Sequence, residues 1–185
     1  LLAAPTASLA QPDMPQPRRT KNVIVVTLDG FRFQEFFAGA DEAMLNKQFG
    51  GVKDVDGLKK RYWRAKPEER REALLPFFWK EIAVRGQIFG DRSRKATCRL
   101  TNGLKFSYPG YSEIFCGFAD PRIKSNAKTP NPNLSVLEFL HDRPGYKGRV
   151  AAFCTWDVFS SIFRSERTGI LVHEAWKPIN DPPLT

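Results

Sequence analysis

The chain has few of the residues that bind metals or form covalent cross-links. It contains only two histidines and three cysteines among 185 residues. Cys98, Cys116 and Cys154 show none of the short spacings of zinc knuckles, and three cysteines form at most one disulfide. A zinc knuckle and a disulfide-dense scaffold are therefore excluded. Cys116 and Cys154 lie in apolar stretches, where we expect them to act as small buried hydrophobic residues.

The sequence also lacks an internal repeat and any run approaching the ~20 apolar residues that a membrane-spanning helix needs. Residues 1–10 are small and uncharged, like the end of a signal peptide, and residues 8–10 fit a small-x-small cleavage site. Residues 11–20 are polar and rich in proline, which is typical of a leader. We interpret residues 1–20 as the signal-peptide remnant and leader of an exported protein, periplasmic or extracellular. An alanine-rich terminus without a targeting role is the alternative.

Basic residues outnumber acidic ones by 29 to 20, which gives a formal net charge of +9. Such a charge permits binding of nucleic acid or another polyanion. The basic clusters are interspersed with acidic residues, as in residues 67–72, and no aromatic-basic stacking motif accompanies them. The charge therefore indicates a solvated surface that attracts anionic substrates. A non-catalytic polyanion-binding domain stays as an alternative.

Hydrophobic periodicity predicts strands that alternate with helices. Residues 23–28 form a run dominated by β-branched residues, typical of a strand buried on both faces of a parallel sheet. Further strands are predicted at 87–89, 104–106, 150–154 and 170–172, and helices at 41–49, 67–84, 111–118, from 133 and from 157. Pro76 predicts a break in the second helix. This alternation predicts an α/β fold, layered α/β/α around a mostly parallel central sheet.

Asp29 is the first candidate for a functional residue. Ligands of open parallel sheets bind beyond the carboxyl ends of the strands, and Asp29 directly follows the first predicted strand. A carboxylate followed by a glycine can approach a cation closely, and such oxygens are metal ligands. We therefore predict that Asp29 binds a metal ion, with capping of a following helix as the alternative.

Ser112 is the second candidate, because it lies at or near the start of the helix predicted for residues 111–118. The exposed N–H groups and the positive dipole end at a helix start can hold a phosphoryl group and favour an alkoxide. Ser112 is therefore predicted to be a nucleophile and a metal ligand, its pKa being lowered by the metal. A helix cap is the alternative role.

Taken in order, these segments resemble the alkaline phosphatase superfamily, in particular its type I phosphodiesterase and nucleotide pyrophosphatase branch and the phosphoglyceromutase-like proteins. The resemblance runs from Asn22 to Trp176. Residues 28–30, Leu-Asp-Gly, are similar to the end of the family's first strand, which supplies a metal ligand. Residues 108–117 are similar to its aromatic-proline turn, which leads to a Thr or Ser nucleophile at a helix start and then to a glycine. The nucleophile's place falls on Ser112 or, counted back from the glycine, on Glu113.

The resemblance implies that residues 21–185 are the N-terminal part of a catalytic domain, with the C-terminal half of the fold absent. It implies a centre of two divalent metal ions, with zinc expected, whose remaining Asp and His ligands lie beyond this chain. Asn126 matches the family's asparagine that contacts the substrate phosphate, with an ordinary turn residue as the alternative. His141 is expected at a surface helix end and His173 in a strand, neither as a ligand.

The implied function of the full-length protein is hydrolysis of a small phosphomonoester or phosphodiester through a phosphoseryl intermediate. The 185-residue piece is expected to be inactive by itself, because one aspartate cannot hold two metal ions. A phosphoglyceromutase-like phosphotransferase is the alternative within the family. A sulfatase is disfavoured, because the chain has no Cys/Ser-x-Pro-x-Arg run.

Overall fold

The structure, a computed structural model, describes residues 20–175. The predicted signal-peptide remnant and leader, apart from Thr20, lie outside the described residues. The chain divides into two compact units, Leu1–Gly30 and Phe31–Thr185. Each unit is described in turn.

The described part of the first unit has neither a helix nor a strand and ends in a turn at Asp29 and Gly30. The strand predicted for residues 23–28 is therefore wrong. Val23 and Ile24 are 79% and 86% exposed, respectively, although their apolar pattern predicts burial. A strand forms only where another strand pairs with its backbone N–H and C=O groups, and no strand within residues 20–175 pairs with this run.

The described residues of the second unit, 31–175, are rich in short helices and include two strands. Its α-helices are α1 Phe33–Ala38, α2 Lys47–Gly50, α3 Val55–Tyr62, α4 Pro67–Leu74, α5 Ala83–Arg85, α6 Ser107–Cys116, α7 Val136–His141, α8 Phe159–Phe163 and α9 Ser165–Thr168. Glu42–Met44 and Arg92–Arg94 are 3₁₀ helices, and Phe78–Ile82 is a π-helix. The strands are β1 Ala151–Phe153 and β2 Leu171–His173.

The predicted helix over residues 67–84 forms, and its predicted break is confirmed. Pro67 occupies the first turn of α4, where a missing N–H costs nothing, and acidic side chains follow it. Leu75 leaves the helical region (φ −130°, ψ 63°) because the ring of Pro76 clashes with a helical residue before it. The chain then resumes as the π-helix and α5, so that one predicted helix becomes three segments.

Two other predictions change in the structure. The helix predicted for residues 41–49 is divided into a 3₁₀ helix and α2, because the Asn46 side chain accepts a hydrogen bond from the Phe49 N–H and starts a new helix. The short strands predicted at 87–89 and 104–106 are wrong, since these residues form neither strands nor helices. Phe89 and Phe106 are exposed there, so neither segment is held in place by a buried aromatic side chain.

The strands β1 and β2 pair in parallel, with Ala151 opposite Leu171 and Phe153 opposite His173. The helices α8 and α9 lie between them in the chain and form the crossover that a parallel pair requires. Both strands lie within or next to predicted ones. Residues 20–175 are thus helix-rich with a small two-stranded parallel sheet, which is consistent with part of the predicted α/β fold. The layered α/β/α arrangement stays a prediction.

The core of the second unit lies between α6, α8 and the two strands. Its buried residues are Tyr108, Tyr111, Phe115, Ile123, Val158, Phe159, Ile162 and Phe163. Rings of α6 and α8 meet edge to face, with centroids 4.8 Å apart for Tyr111 and Phe159 and 4.9 Å for Phe115 and Phe163. Each fully buried apolar side chain contributes roughly 1.5–3 kcal/mol. This packing holds α6, which carries the candidate functional residues, in a defined position.

Candidate functional site

The helix α6 begins at Ser107, not at residue 111 as predicted. Phe106 is still extended (φ −123°, ψ 143°), and Pro109 is the third residue of the helix. A proline fits in the first turn because the N–H groups there have no partner within the helix. The expectation that Pro109 and Gly110 form a turn before the helix is therefore wrong, and so is the expectation that Ser112 lies at its start.

Ser112 is instead the sixth residue of α6 and is 2% exposed. Its Oγ accepts a hydrogen bond from Asn131 Nδ2 over 3.1 Å, and it lies 3.9 Å from Cys116 Sγ. Asn131 is itself completely buried. Ser112 thus has a structural partner inside the core, while its predicted roles as nucleophile and metal ligand stay predictions.

The hydroxyl at the start of α6 belongs to Ser107, which is half-buried. Few donors remain there: Pro109 has no N–H, and the Tyr108 N–H donates to Asn126 Oδ1 over 3.0 Å. The Ser107 N–H has no acceptor within residues 20–175. Ser107 therefore combines a hydroxyl and a free backbone donor at the positive end of a helix dipole.

Asn126 is the predicted phosphate-binding residue that the structure brings to this helix start. Its side chain is exposed, and its Oδ1 is used by Tyr108. The Nδ2 group of Asn126 carries two N–H donors, and neither takes part in that hydrogen bond. Ser107 and Asn126 thus lie at one helix tip, although nineteen positions separate them in the chain.

Ser107 was not among the residues predicted for the site. A local signal for it exists, since proline is favoured in the first turn of a helix. Applied to Pro109, that preference places the helix start a few residues before the proline and makes Ser107 the first hydroxyl of the helix. The prediction of a turn at Pro109 and Gly110 placed the helix start after them instead.

Glu113, the other sequence-predicted position for a nucleophile, is engaged by a neighbouring loop. Its Oε1 accepts from the N–H and hydroxyl of Thr101, and its Oε2 from the N–H and side chain of Asn102. Desolvation raises the pKa of the Glu113 carboxyl, but these four hydrogen bonds together outweigh it, so that the pKa is lowered. Glu113 thus anchors residues 101–102 to α6 as a carboxylate.

Asp29 lies exposed in the turn at the end of the first unit. The next residue, Gly30, has a φ of +70°, a conformation that glycine adopts without steric cost. Because Gly30 has no Cβ, it does not obstruct a cation that approaches the Asp29 carboxylate. The predicted role of Asp29 as a metal ligand stays a prediction.

The described residues do not by themselves fit a two-metal centre. Within residues 20–175, no three His, Cys, Asp or Glu side chains are grouped closely enough to hold an ion. His141 is buried in α7, and its Nδ1 has no hydrogen-bond partner among the residues that the structure describes. Its expected surface position is therefore wrong. His173 lies in β2 as expected, with its ring 6.3 Å from that of Phe153.

Comparison of the chain with models of protein families, with curated proteins and with solved structures finds no match. None of the helices within residues 20–175 combines the length and apolarity needed to cross a membrane.

Proposed function

We propose that the full-length protein is a metal-dependent hydrolase of small phosphate esters, a phosphomonoesterase or phosphodiesterase, with the start of α6 holding the phosphoryl group. The observation that carries the proposal is the meeting of Ser107 and Asn126 at that helix start, joined through the Tyr108 N–H. The resemblance to the alkaline phosphatase superfamily implied that Asn126 contacts the phosphate, and the residues predicted a nucleophilic hydroxyl, that of Ser112, at a helix start. At the start of α6 the hydroxyl is that of Ser107, and Asn126 lies beside it.

In this proposal the phosphoryl oxygens accept hydrogen bonds from the Ser107 N–H and from Asn126 Nδ2. The helix dipole adds attraction for the negative charge. The Ser107 Oγ attacks phosphorus and forms an O–P bond, while the ester O–P bond breaks and the alcohol leaves with the serine proton. Water then hydrolyses the phosphoseryl group, which restores the Ser107 hydroxyl and releases inorganic phosphate from a monoester or a phosphomonoester from a diester. Ser112 is less suited to this step because it is buried and bonded to Asn131.

The proposal keeps Asp29 as a ligand of one of two divalent ions, with zinc expected. The other ligands would come from segments other than residues 20–175, because the described residues do not supply them. It also keeps export from the cytoplasm and a layered α/β/α arrangement in which β1 and β2 belong to a larger, mostly parallel sheet.

The test is hydrolysis of p-nitrophenyl phosphate and bis(p-nitrophenyl) phosphate by the full-length protein supplied with zinc. We expect turnover of at least one ester. Ser107→Ala should lower kcat by about a thousandfold or more, as removal of a nucleophile does. Ser112→Ala should retain kcat within about tenfold while lowering the melting temperature.

The reverse pattern, with Ser112→Ala inactive and folded and Ser107→Ala active, would return the nucleophile to Ser112. No turnover of either ester by the zinc-loaded wild-type protein would overturn the proposed function. Circular dichroism of each variant separates loss of activity from loss of fold.

A further inference from the structure

The loop of residues 120–133, which carries Asn126, has its two ends tied together. Its residues form neither a helix nor a strand. The ends lie thirteen positions apart in the chain and meet where Asn133 Nδ2 donates a hydrogen bond to Asp120 Oδ2 over 2.7 Å. A compact loop of this length with adjoining ends is an Ω-loop, a class that frequently carries functional residues. We refer to residues 120–133 as the Ω-loop.

Three side chains make the tie, and each of them contacts the other two. Arg122 donates to the two oxygens of Asp120 from Nε over 3.0 Å and from Nη2 over 2.7 Å. The same Nη2 donates to Asn133 Oδ1 over 3.0 Å. We call Asp120, Arg122 and Asn133 the clamp. A guanidinium that donates to both oxygens of a carboxylate fixes its orientation, because its donors form a rigid fork.

Asp120 is the centre of the clamp. It is buried, and its carboxylate accepts from the Arg122 guanidinium, from the Arg122 N–H and from Asn133 Nδ2. These hydrogen bonds, those of the Arg122 side chain above all, hold the pKa of Asp120 well below its usual range. Asp120 is therefore ionised at neutral pH, and the clamp is closed there.

Between its tied ends the Ω-loop is held against the core. Ile123 belongs to the buried core of the second unit. Tyr108 contacts the loop at two points, since its N–H donates to Asn126 Oδ1 and its hydroxyl donates to the Thr129 carbonyl over 2.7 Å. Each tie removes extended conformations from the chain between the tied points. Asn126 thus lies in a short segment that has little conformational freedom.

Asn126 needs this support, because its own hold on the start of α6 is weak. Its side chain is exposed and is bonded to α6 through the Tyr108 N–H alone among the described residues. Water competes with a single exposed hydrogen bond, so the net gain from such a bond is small. A loop that is already folded keeps the Asn126 carboxamide next to its partner.

We propose that Asp120 is a positioning residue of the phosphate site, which fixes the Ω-loop through the clamp and thereby keeps Asn126 against the start of α6. This inference rests on the proposed function, since it assigns Asp120 to the same site. The Asp120 carboxylate bonds to Arg122 and Asn133 and acts on Asn126 through the loop. Such support matters because misplacing a substrate-binding group by about 1 Å can cost about a hundredfold in rate.

The first experiment follows the position of Asn126 without a substrate. The hydrogen-exchange rate of the Tyr108 N–H, measured by NMR, reports its bond to Asn126 Oδ1. We expect this N–H to exchange at least tenfold faster in Asp120→Asn, which keeps the size of the side chain and removes its charge. Asp54→Ala is the matched control, because it removes a side-chain cap from α3 and leaves the Ω-loop untouched. A wild-type rate in Asp120→Asn, or an equal increase in Asp54→Ala, contradicts the proposal.

The second experiment is a double-mutant cycle between Asp120 and Asn126 in the full-length, zinc-loaded protein. Asp120→Asn should lower kcat/KM for p-nitrophenyl phosphate about tenfold in the wild-type background. In the Asn126→Ala background it should change kcat/KM by no more than about twofold, because the group that it positions is gone. Equal factors in the two backgrounds would show that Asp120 only stabilises the fold.

The same four proteins are titrated with phenylphosphonate, which has no ester bond to hydrolyse. Coupling of Asp120 and Asn126 in its Kd without turnover of any ester would uphold the positioning role and reject the hydrolase. Turnover without coupling would reject the positioning role and keep the hydrolase. Absence of both phenylphosphonate binding and turnover would reject both proposals.

Melting curves establish that each variant folds. If Asp120→Asn does not fold, Asn133→Ala takes its place, because it removes one member of the clamp and keeps the ion pair of Asp120 with Arg122. A smaller increase in the exchange rate of the Tyr108 N–H, at least about threefold, is then expected, and an unchanged rate rejects the proposal.

Discussion

Asn131 Nδ2 donates a hydrogen bond to Ser112 Oγ over 3.1 Å inside the core between α6 and α8. The same Nδ2 donates to the Ile162 carbonyl of α8 over 3.2 Å. The Asn131 Oδ1 accepts from the Asn133 N–H over 2.9 Å. A single carboxamide thus joins α6, α8 and the loop before α7, and the buried serine is one of its acceptors.

Replacing Asn131 with Ala should lower the free energy of unfolding by about 2–4 kcal/mol. Each lost hydrogen bond is worth roughly 0.5–1.5 kcal/mol, and the Ser112 hydroxyl and two backbone groups lose a buried partner. Urea denaturation followed by circular dichroism measures the change. Asn22→Ala, at an exposed position, is the control and should stay within about 0.5 kcal/mol of the wild type. A similarly small effect at Asn131 would contradict this account of the core.

Substitutions of Asn126 separate a structural role from a functional one. Asn126→Ala removes the acceptor of the Tyr108 N–H, so it should cost about 0.5–2 kcal/mol of stability, as loss of a helix cap does. Asn126→Asp restores an acceptor and should restore the stability. Both variants should lower kcat/KM for the phosphate ester at least about tenfold, because aspartate lacks the Nδ2 donors and repels the phosphate. An Asp variant with wild-type kcat/KM would leave Asn126 as a cap only.

Asp29→Ala in the full-length protein should reduce metal content and esterase activity together. The measurement is zinc per chain by elemental analysis alongside kcat/KM. Asp56→Ala, at an exposed position in the first turn of α3, is the matched control and should change neither quantity. Retention of both metal and activity in Asp29→Ala would remove Asp29 from the proposed centre.

The phenol of Tyr108 should make stability depend on pH above 10. Burial raises the pKa of Tyr108 to about 12, against an ordinary value of about 10. The folded state therefore keeps this proton more tightly, and the stability that it contributes below pH 10 is lost as the pH rises from about 10 to about 12. Urea denaturation between pH 8 and pH 11.5 should show a flatter decline for Tyr108→Phe. Tyr146→Phe, at an exposed position, should decline like the wild type, and equal slopes for all three proteins would contradict the prediction.

Local features of the fold were predictable where a few neighbouring residues determine them. The start of α4 at Pro67, its end before Pro76 and the two strands near residues 150–154 and 170–172 follow from proline chemistry and apolar patterning. The strand predicted for residues 23–28 does not form, and the reason is the opposite one. Their pattern shows that they could pair in a sheet, but pairing depends on a second strand, which the pattern of one segment does not contain.

The sequence predicted a hydroxyl at the start of this helix and an asparagine after the helix. The structure has Ser107 at the start of α6 and brings Asn126 to the same end. Which serine fills that position depends on where α6 begins, and the misinterpreted turn at residues 109–110 moved the expected start from Ser107 to residue 111.

The sequence by itself determined where the helix over residues 67–84 breaks and which residues can pair as parallel strands, and it predicted Asp29 and residues of α6 as candidates for the site. Only the tertiary structure decided that Ser112 is buried against Asn131 and that Asn126 meets the start of α6. These two contacts span 19 and 18 residues of chain. Both contacts join α6 to the loop that follows it, between residues far apart in the chain, and no local pattern in the sequence specifies them.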